Sequence, residues 1–230
     1  LTDDEAWRLE IPGLPQLTEI GSKRGFTQDE SQCLLPMYCG GWDPEAPTTA
    51  NGYITREKYI ELLRYAGERN IRVIPEIDMP GHMRAAKKAM GNMLTDSAFD
   101  ARVYKSAQNY TDNVIDVTKP YAVEFVDHVV TEIVKMHEEA GYPLQQFNIG
   151  GDELGLYSSS GYTYTDVYNY INDVNKVLKK HDYTSRVYND FFYRKTTVDN
   201  YSKIFQTNAQ LDSDIEVVIW TADGSYTAPP

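Results

Sequence analysis

Asp152 and Glu153 stand side by side behind two glycines in "FNIGGDELG", residues 147–155. Adjacent carboxylates repel one another, and burying them is costly. A solvated turn would explain one acid there. Two acids behind a short apolar run suggest two carboxyls with separate tasks. Other acids and amides recur in the same setting, just after short apolar runs. "VIPEID" delivers Glu76 and Asp78, followed by His82. "RVYND" delivers Asn189 and Asp190, "VVIWTAD" delivers Trp220 and Asp223, and the chain opens on Asp3 and Asp4. A single acid at such a position serves as a helix N-cap, which accounts for Asp166 and Asp199. Capping needs one acceptor, so it accounts poorly for the Asp152–Glu153 pair.

The chemistry this set suits is driven by carboxyl groups. Cleaving a glycosidic bond takes a protonated acid at the leaving oxygen and negative charge near the developing cation. A neighbouring carboxylate helps one carboxyl keep its proton. A metal hydrolase would ask for two or three histidines at ligand spacing. Of the four histidines, only His82 follows an apolar run; His128, His137 and His181 are expected at surfaces or helix ends. A serine triad lacks its G-x-S-x-G elbow.

The elements that would position these residues alternate. Apolar stripes at helical spacing predict helices in "ITREKYIELLRYAGERN", residues 54–70, and over 120–140 and 164–180, with Thr55 as N-cap and Gly141 as C-cap. A short run at 83–90 and a weaker stretch near 197–208 also read as helical. Strands are expected at Val73–Ile77, in "LQQFN", in "SRVYN" and in "EVVIW", with a strand exit at the start. Such alternation builds a parallel sheet, closed as a barrel or doubly wound. No strand is followed by a dinucleotide or phosphate-loop fingerprint, which favours the barrel. In a parallel barrel the strand ends meet on one rim, where sites are built. Residues 12–52 form a long excursion, expected to be ordered because it holds Leu34, Leu35, Met37, Tyr38 and Trp42.

Composition narrows the partners. The 230 residues suit one domain, 1–230, and 41% hydrophobic with 24% charged residues is ordinary for a globular chain. The formal net charge of −12 repels phosphates and anionic lipids, so nucleic acid and membrane surfaces are poor partners. No apolar run reaches a membrane-spanning length. Eighteen tyrosines suit sugar binding, weakly. Cys33 and Cys39 share one loop; a local disulfide and two buried thiols both remain open. The chain begins at Leu1 without a leader sequence, as expected of a processed or excised piece.

These residues, in this order, resemble glycoside hydrolase family 20, the β-N-acetylhexosaminidases. "LTDDEAWRLEIPGLPQLTEIG" is similar to the family's strand-two exit, "VIPEIDMPGH" to its strand-three signature and "GGDE" to its catalytic signature. "VYND" and "VVIW" fit strands five and six, and "SQCLLPMY" is most like the bacterial chitobiase branch. The resemblance implies a (β/α)8 TIM-type barrel, of which this chain carries about strands two to six, roughly five of eight. It implies a retaining, substrate-assisted hydrolysis of terminal β-linked N-acetylhexosamine through an oxazolinium intermediate, with no metal and no cofactor.

Carried over, Glu153 would be the general acid and later the base, and Asp152 would orient the acetamido nitrogen. Asp3 and His82 would form a relay to Glu153, and Asp78 would hydrogen-bond near Asp152. Trp220, Tyr188, Asn189 and Asp190 would meet the sugar, and Gly150 and Gly151 would let the backbone pass close to it. The implied partner is an N-acetylhexosamine-containing oligosaccharide or glycan, and the implied location is secreted, surface or periplasmic in a bacterium. The missing strands would come from the parent protein or from association. Two positions depart from the family pattern: Asn148 replaces a His and Tyr188 a Trp. The first-strand Arg that grips the substrate, and the last strands, lie outside the chain. Those departures favour the alternative, a carbohydrate-binding remnant without hydrolysis.

Overall fold

The computed structural model describes residues 2–36, 40–95, 97–100, 110–153, 163–189 and 210–219. Three short strands, β1 (Gln146–Asn148), β2 (Thr184–Tyr188) and β3 (Glu216–Val218), pair in parallel in the order β1-β2-β3. Phe147 faces Ser185, and Val187 faces Val217. A fourth segment runs beside β1: Asn148 N–H donates to the Pro75 carbonyl (2.9 Å), and Ile77 N–H to the Asn148 carbonyl (3.0 Å). The expected strand at Val73–Ile77 is thus reduced to a single parallel bridge, Glu76 to Asn148. Pro75 and Pro80 supply no N–H to extend it.

Among the described residues, six helices surround the strands in sequence. They are α1 (Gln16–Glu19), α2 (Arg56–Gly67), α3 (Arg84–Met90), α4 (Ser97–Asp100), α5 (Pro120–Ala140) and α6 (Tyr164–Lys179). Each long helix ends where its sequence says. The Thr55 side chain accepts the Lys58 N–H of α2, and Gly141 closes α5 in the left-handed region at φ 79°. Thr163 and Asp166 form a reciprocal capping box on α6. Short helices α1 and α4 were not legible in the polar stretches that hold them.

The core lies between α5, its neighbours α2 and α6, and the sheet. Phe125, Val129 and Ile133 of α5 are buried with Leu63 of α2, Ile171 and Val174 of α6, and Phe147 and Val187 of the strands. Each such side chain stabilises the fold by about 1.5–3 kcal/mol through burial. The strands alternate, so the other face carries Gln146, Asn148, Thr184, Arg186, Tyr188, Glu216 and Val218, and it is mostly polar. Gln146 donates to Glu216 (2.6 Å), and Arg186 lies 3.3 Å from the same carboxylate.

The excursion is partly ordered as expected. Cys33 and Leu34 are buried, but Trp42 is 74% exposed and meets exposed Phe26 in a tilted ring contact, centroids 5.6 Å apart. Met37, Tyr38 and Cys39 lie outside the described residues, and Cys33 is a free thiol. His137 sits in the last turn of α5, a helix-end position as expected, and is buried there against the Tyr59 hydroxyl (3.2 Å). The expected helix near 197–208 also lies outside the described residues.

Candidate active site

Beyond the strand ends the backbone does what only a few residues allow. Gly150 and Gly151 take φ of 72° and 90°, and His82 and Glu153 take 53° and 49°. The last two carry a β-carbon, so their left-handed geometry is strained and is held by surrounding contacts. At Gly150 the chain presses against Asp78, and the Gly151 N–H donates to Asp78 Oδ1 (3.1 Å).

His82 is the hub. Its Nδ1 lies 3.1 Å from Asp3 Oδ1 and 3.3 Å from Asp4 Oδ2. Its Nε2 lies 3.5 Å from Glu153 Oε2 and 3.7 Å from Asp152 Oδ2. Residues far apart in sequence therefore meet on one ring, as the relay reading requires. Burial alone would strip the proton from this imidazole, but its hydrogen bonds to Asp3 and Asp4, with nearby carboxylate charge behind them, outweigh it and raise its pKa to about 11. His82 is an imidazolium throughout the neutral range. Among the described residues, its Nε2 and Asp152 Oδ1 are both buried without a hydrogen-bond partner.

Asp78 is buried, and its carboxyl hydrogen-bonds to that of Asp152. Burial first and the Asp152 charge second push the Asp78 pKa well above the usual carboxylate range. That shift favours the protonated form of Asp78 beside Asp152. Asp152 and Glu153 are partly open to solvent, with side chains 17% and 33% exposed. Oxygen and nitrogen atoms of Asp3, Asp4 and His82, and of Asp78, His82 and Asp152, converge within 4.8 Å in a manner that could hold a cation. His82 already supplies that positive charge internally.

Beside this hub stands a second cluster built on Glu76. Its Oε2 accepts from the Tyr188 hydroxyl (2.7 Å) and from Asn148 Nδ2. Asn148 Oδ1 in turn accepts the Gly150 N–H (3.1 Å), tying the cluster to the glycine turn. Burial and Glu76 raise the Tyr188 pKa, so the phenol stays protonated. Asn189 is buried, and its N–H donates to the Val218 carbonyl (3.1 Å), which places it at the sheet rim next to Tyr188. Asp190, Trp220 and Asp223 lie outside the described residues.

Sequence reasoning missed the support behind His82. Asp4 is buried and accepts the Arg84 N–H (3.1 Å) and Asn113 Nδ2 (2.8 Å). The Arg84 guanidinium is gripped by buried Glu30 and by Asp112, with Lys88 2.8 Å from Asp112. The doubled Asp at the chain's start was the signal for Asp4. Nothing in sequence pairs Glu30 with Arg84.

Comparison with known proteins bears on what this arrangement is. The family model described as "Glycosyl hydrolase family 20, catalytic domain" matches residues 1–227. A beta-hexosaminidase of Vibrio vulnificus is 41% identical over 169 residues, covering 66% of this chain and 20% of that protein. An N,N'-diacetylchitobiase of Vibrio harveyi is 44% identical over 174 residues, covering 66% of this chain and 19% of that protein. The chain thus spans about a fifth of the length of these relatives. The crystal structure of a Vibrio harveyi exo-beta-N-acetylglucosaminidase in complex with N-acetylglucosamine superposes with a TM-score of 0.74 at 31% identity, over 96% of this chain and 32% of that one. The parallel strands and their helices are accordingly part of a (β/α)8 barrel.

Proposed function

The chain belongs to glycosyl hydrolase family 20, and from that premise we propose that it is part of a catalytic domain that removes terminal β-linked N-acetylglucosamine or N-acetylgalactosamine. The observation that carries the reading is His82 bridging Asp3 at 3.1 Å and Glu153 at 3.5 Å. Glu153 holds a proton at the start and delivers it to the glycosidic oxygen as the bond to the anomeric carbon breaks. The substrate's own acetamido oxygen attacks that carbon from the opposite face and forms a cyclic oxazolinium. Glu153, now a carboxylate, lies beside the His82 cation, which stabilises the charge it has gained. In the second half Glu153 removes a proton from water, and the hydroxide reopens the ring with overall retention.

Asp152 faces the acetamido group in this scheme. Its charge orients the amide N–H and stabilises the positive charge that spreads onto nitrogen. Asp78, whose neutral form is favoured beside Asp152, would fix the direction of that carboxylate. The phenol of Tyr188, which donates to Glu76 (2.7 Å), would wall the same pocket in this reading. A second reading, sugar binding without hydrolysis, is favoured by Asn148 and Tyr188, which fill positions where the family pattern has His and Trp.

Turnover of nitrophenyl N-acetyl-β-glucosaminide by the full-length protein, beside its Glu153→Gln variant, separates the two. Release of nitrophenol that disappears in the variant supports hydrolysis. Saturable binding of N-acetylglucosamine with no release from either protein would overturn hydrolysis in favour of binding.

A further inference from the structure

Two aromatic rings stand in solvent on the excursion, and they touch. Phe26 is 63% exposed and Trp42 74%, with centroids 5.6 Å apart and an interplanar angle of 55°. Single exposed rings are ordinary on a protein surface. Two in contact form a patch, and this patch is braced. The Phe26 N–H donates to the Trp42 carbonyl (3.1 Å), so the two segments that carry the rings are tied at the rings themselves. One residue earlier, Gly25 lies against Pro44, where a β-carbon would meet Cδ at 2.7 Å. Asn51 joins the same segments: its Oδ1 accepts the Arg24 N–H (2.7 Å), and its Nδ2 donates to the Pro44 carbonyl (3.1 Å). The pair is also seated on the catalytic rim. The Arg24 guanidinium donates to the carbonyl of Glu5, next to Asp4, and Glu30 grips Arg84, two residues beyond His82.

We propose that Phe26 and Trp42 form a stacking platform for a neutral oligosaccharide, taking sugars on the leaving side of the bond that is cleaved. This rests on the hexosaminidase reading of the site. Removal of a terminal sugar leaves the rest of the chain outside the catalytic pocket. The excursion is fastened to the two segments that carry Asp4 and His82, so a chain leaving the pocket on that side meets it. One face of a pyranose is lined with C–H groups, which pack on the electron-rich face of an aromatic ring. Two rings tilted by 55° offer surfaces to successive sugars of a β-linked chain, which turn relative to one another. Charge selects against other ligands. Asp29, Asp43 and Glu45 lie in these segments, Lys23 is paired with Glu45 at 2.5 Å, and the chain carries a net −12, so phosphates and acidic glycans are repelled. The ordering is already present without a ligand, so little freedom is lost when a sugar binds.

The test uses the full-length protein. For binding, it carries Glu153→Gln, so that no hydrolysis consumes the probe, and 5-fluorotryptophan, with the Trp42 resonance assigned by its loss in Trp42→Phe. The β-linked tetramer of N-acetylglucosamine is expected to shift that resonance saturably, and N-acetylglucosamine alone is not. No shift with the tetramer, or the same shift with the single sugar, overturns the proposal. A soluble paramagnetic agent should broaden the Trp42 resonance before sugar is added. If it does not, another part of the protein covers the pair, and the proposal is overturned. For turnover, Phe26→Ala and Trp42→Ala, both at largely exposed positions, should fold. Each is expected to raise KM for the tetramer by about 5- to 30-fold with kcat within about twofold. Nitrophenyl N-acetyl-β-glucosaminide has no sugar on its leaving side, so its KM and kcat should stay within about twofold. Equal losses on both substrates, or none on the tetramer, overturn the platform. Should the protein release no nitrophenol, the functional reading fails separately, and the fluorine titration, which needs no turnover, still decides.

Discussion

A β-carbon placed on Gly150 would lie 1.8 Å from Oδ1 of Asp78. The glycine turn and the buried acid are therefore mutually fitted: neither the strand exit nor Asp78 has room to move for the other. Gly150 also sits at φ 72°, where any other residue is strained. Gly150→Ala is expected to destabilise the fold by about 2–4 kcal/mol, from strain plus overpacking. It should also displace Asp152 and so reduce turnover beyond the loss of folded protein. Chemical denaturation and rates normalised to folded fraction check both. A variant of wild-type stability would mean that the Asp78 contact is not fixed.

Asp78 makes the fold depend on pH in a sense opposite to most surface carboxylates. Its folded pKa is raised, by burial first and by the Asp152 charge second. Above the unfolded pKa of a carboxyl the unfolded chain has lost this proton while the folded chain keeps it. Stability then falls as pH rises, until the folded pKa is passed. His82 adds the same sign between its ordinary 6.5 and about 11. Asp78→Asn keeps an acceptor for Gly151 and a donor for Asp152 without a titrating proton. The variant should lose less stability than wild type as pH rises above the ordinary carboxyl range, while losing activity. Parallel denaturation curves across that range would show that Asp78 does not retain its proton.

The long helices were legible because their signals are local. The apolar stripe from Ala122 to Met136, with Gly141 behind it, states both the helix and its end. The acids at the strand exits were legible as a set, because a parallel barrel brings strand ends to one rim. Where structure departed, the cause was a contact between distant residues. Pro75 and Pro80 limit the third barrel strand to one bridge, although Val73, Ile74 and Ile77 read as a strand. Asp3 and Asp4 are indistinguishable in sequence; Asn113, in a polar stretch without periodicity, is what separates them. Trp42 was expected to order the excursion and is exposed, while Glu30, an unremarked acid, is buried and orders it through Arg84.

That Arg84–Glu30 pair predicts an asymmetric response to mutation. Both residues are buried, and Glu30 also accepts the Leu35 N–H (2.9 Å). Arg84→Ala leaves a buried carboxylate with Lys88 at 3.4 Å as its remaining cation, and should cost about 3–5 kcal/mol. Replacing both, as Arg84→Met with Glu30→Leu, removes the stranded charge and should recover more than half of that loss. Urea denaturation of the two variants and wild type measures the difference. A double variant less stable than Arg84→Ala would mean that the pair stabilises the fold outright rather than specifying how the excursion is seated.

Tyr188 and Asn148 converge on one atom, Oε2 of Glu76, and this makes their contributions dependent on each other. With the phenol removed, Glu76 keeps the Asn148 amide, so Tyr188→Phe should cost only about 1 kcal/mol. Asn148→Ala removes the amide and also the acceptor for the Gly150 N–H, so it should cost more, about 2–3 kcal/mol. In the double variant Glu76 loses both of these donors. The loss should then exceed the sum of the single losses by about 0.5–2 kcal/mol, since the first deletion is cushioned by the second partner. A spectroscopic check accompanies the cycle. Burial and Glu76 raise the Tyr188 pKa, so this phenol should resist ionisation where an exposed tyrosine titrates, near about pH 10. Because Tyr188→Phe keeps the ring, it should also spare turnover far more than Tyr188→Ala if the ring walls the acetamido pocket. Equal loss of activity in Phe and Ala variants would assign the role of Tyr188 to its hydroxyl instead, acting through Glu76 and the Asn148–Gly150 link rather than by contact with the sugar.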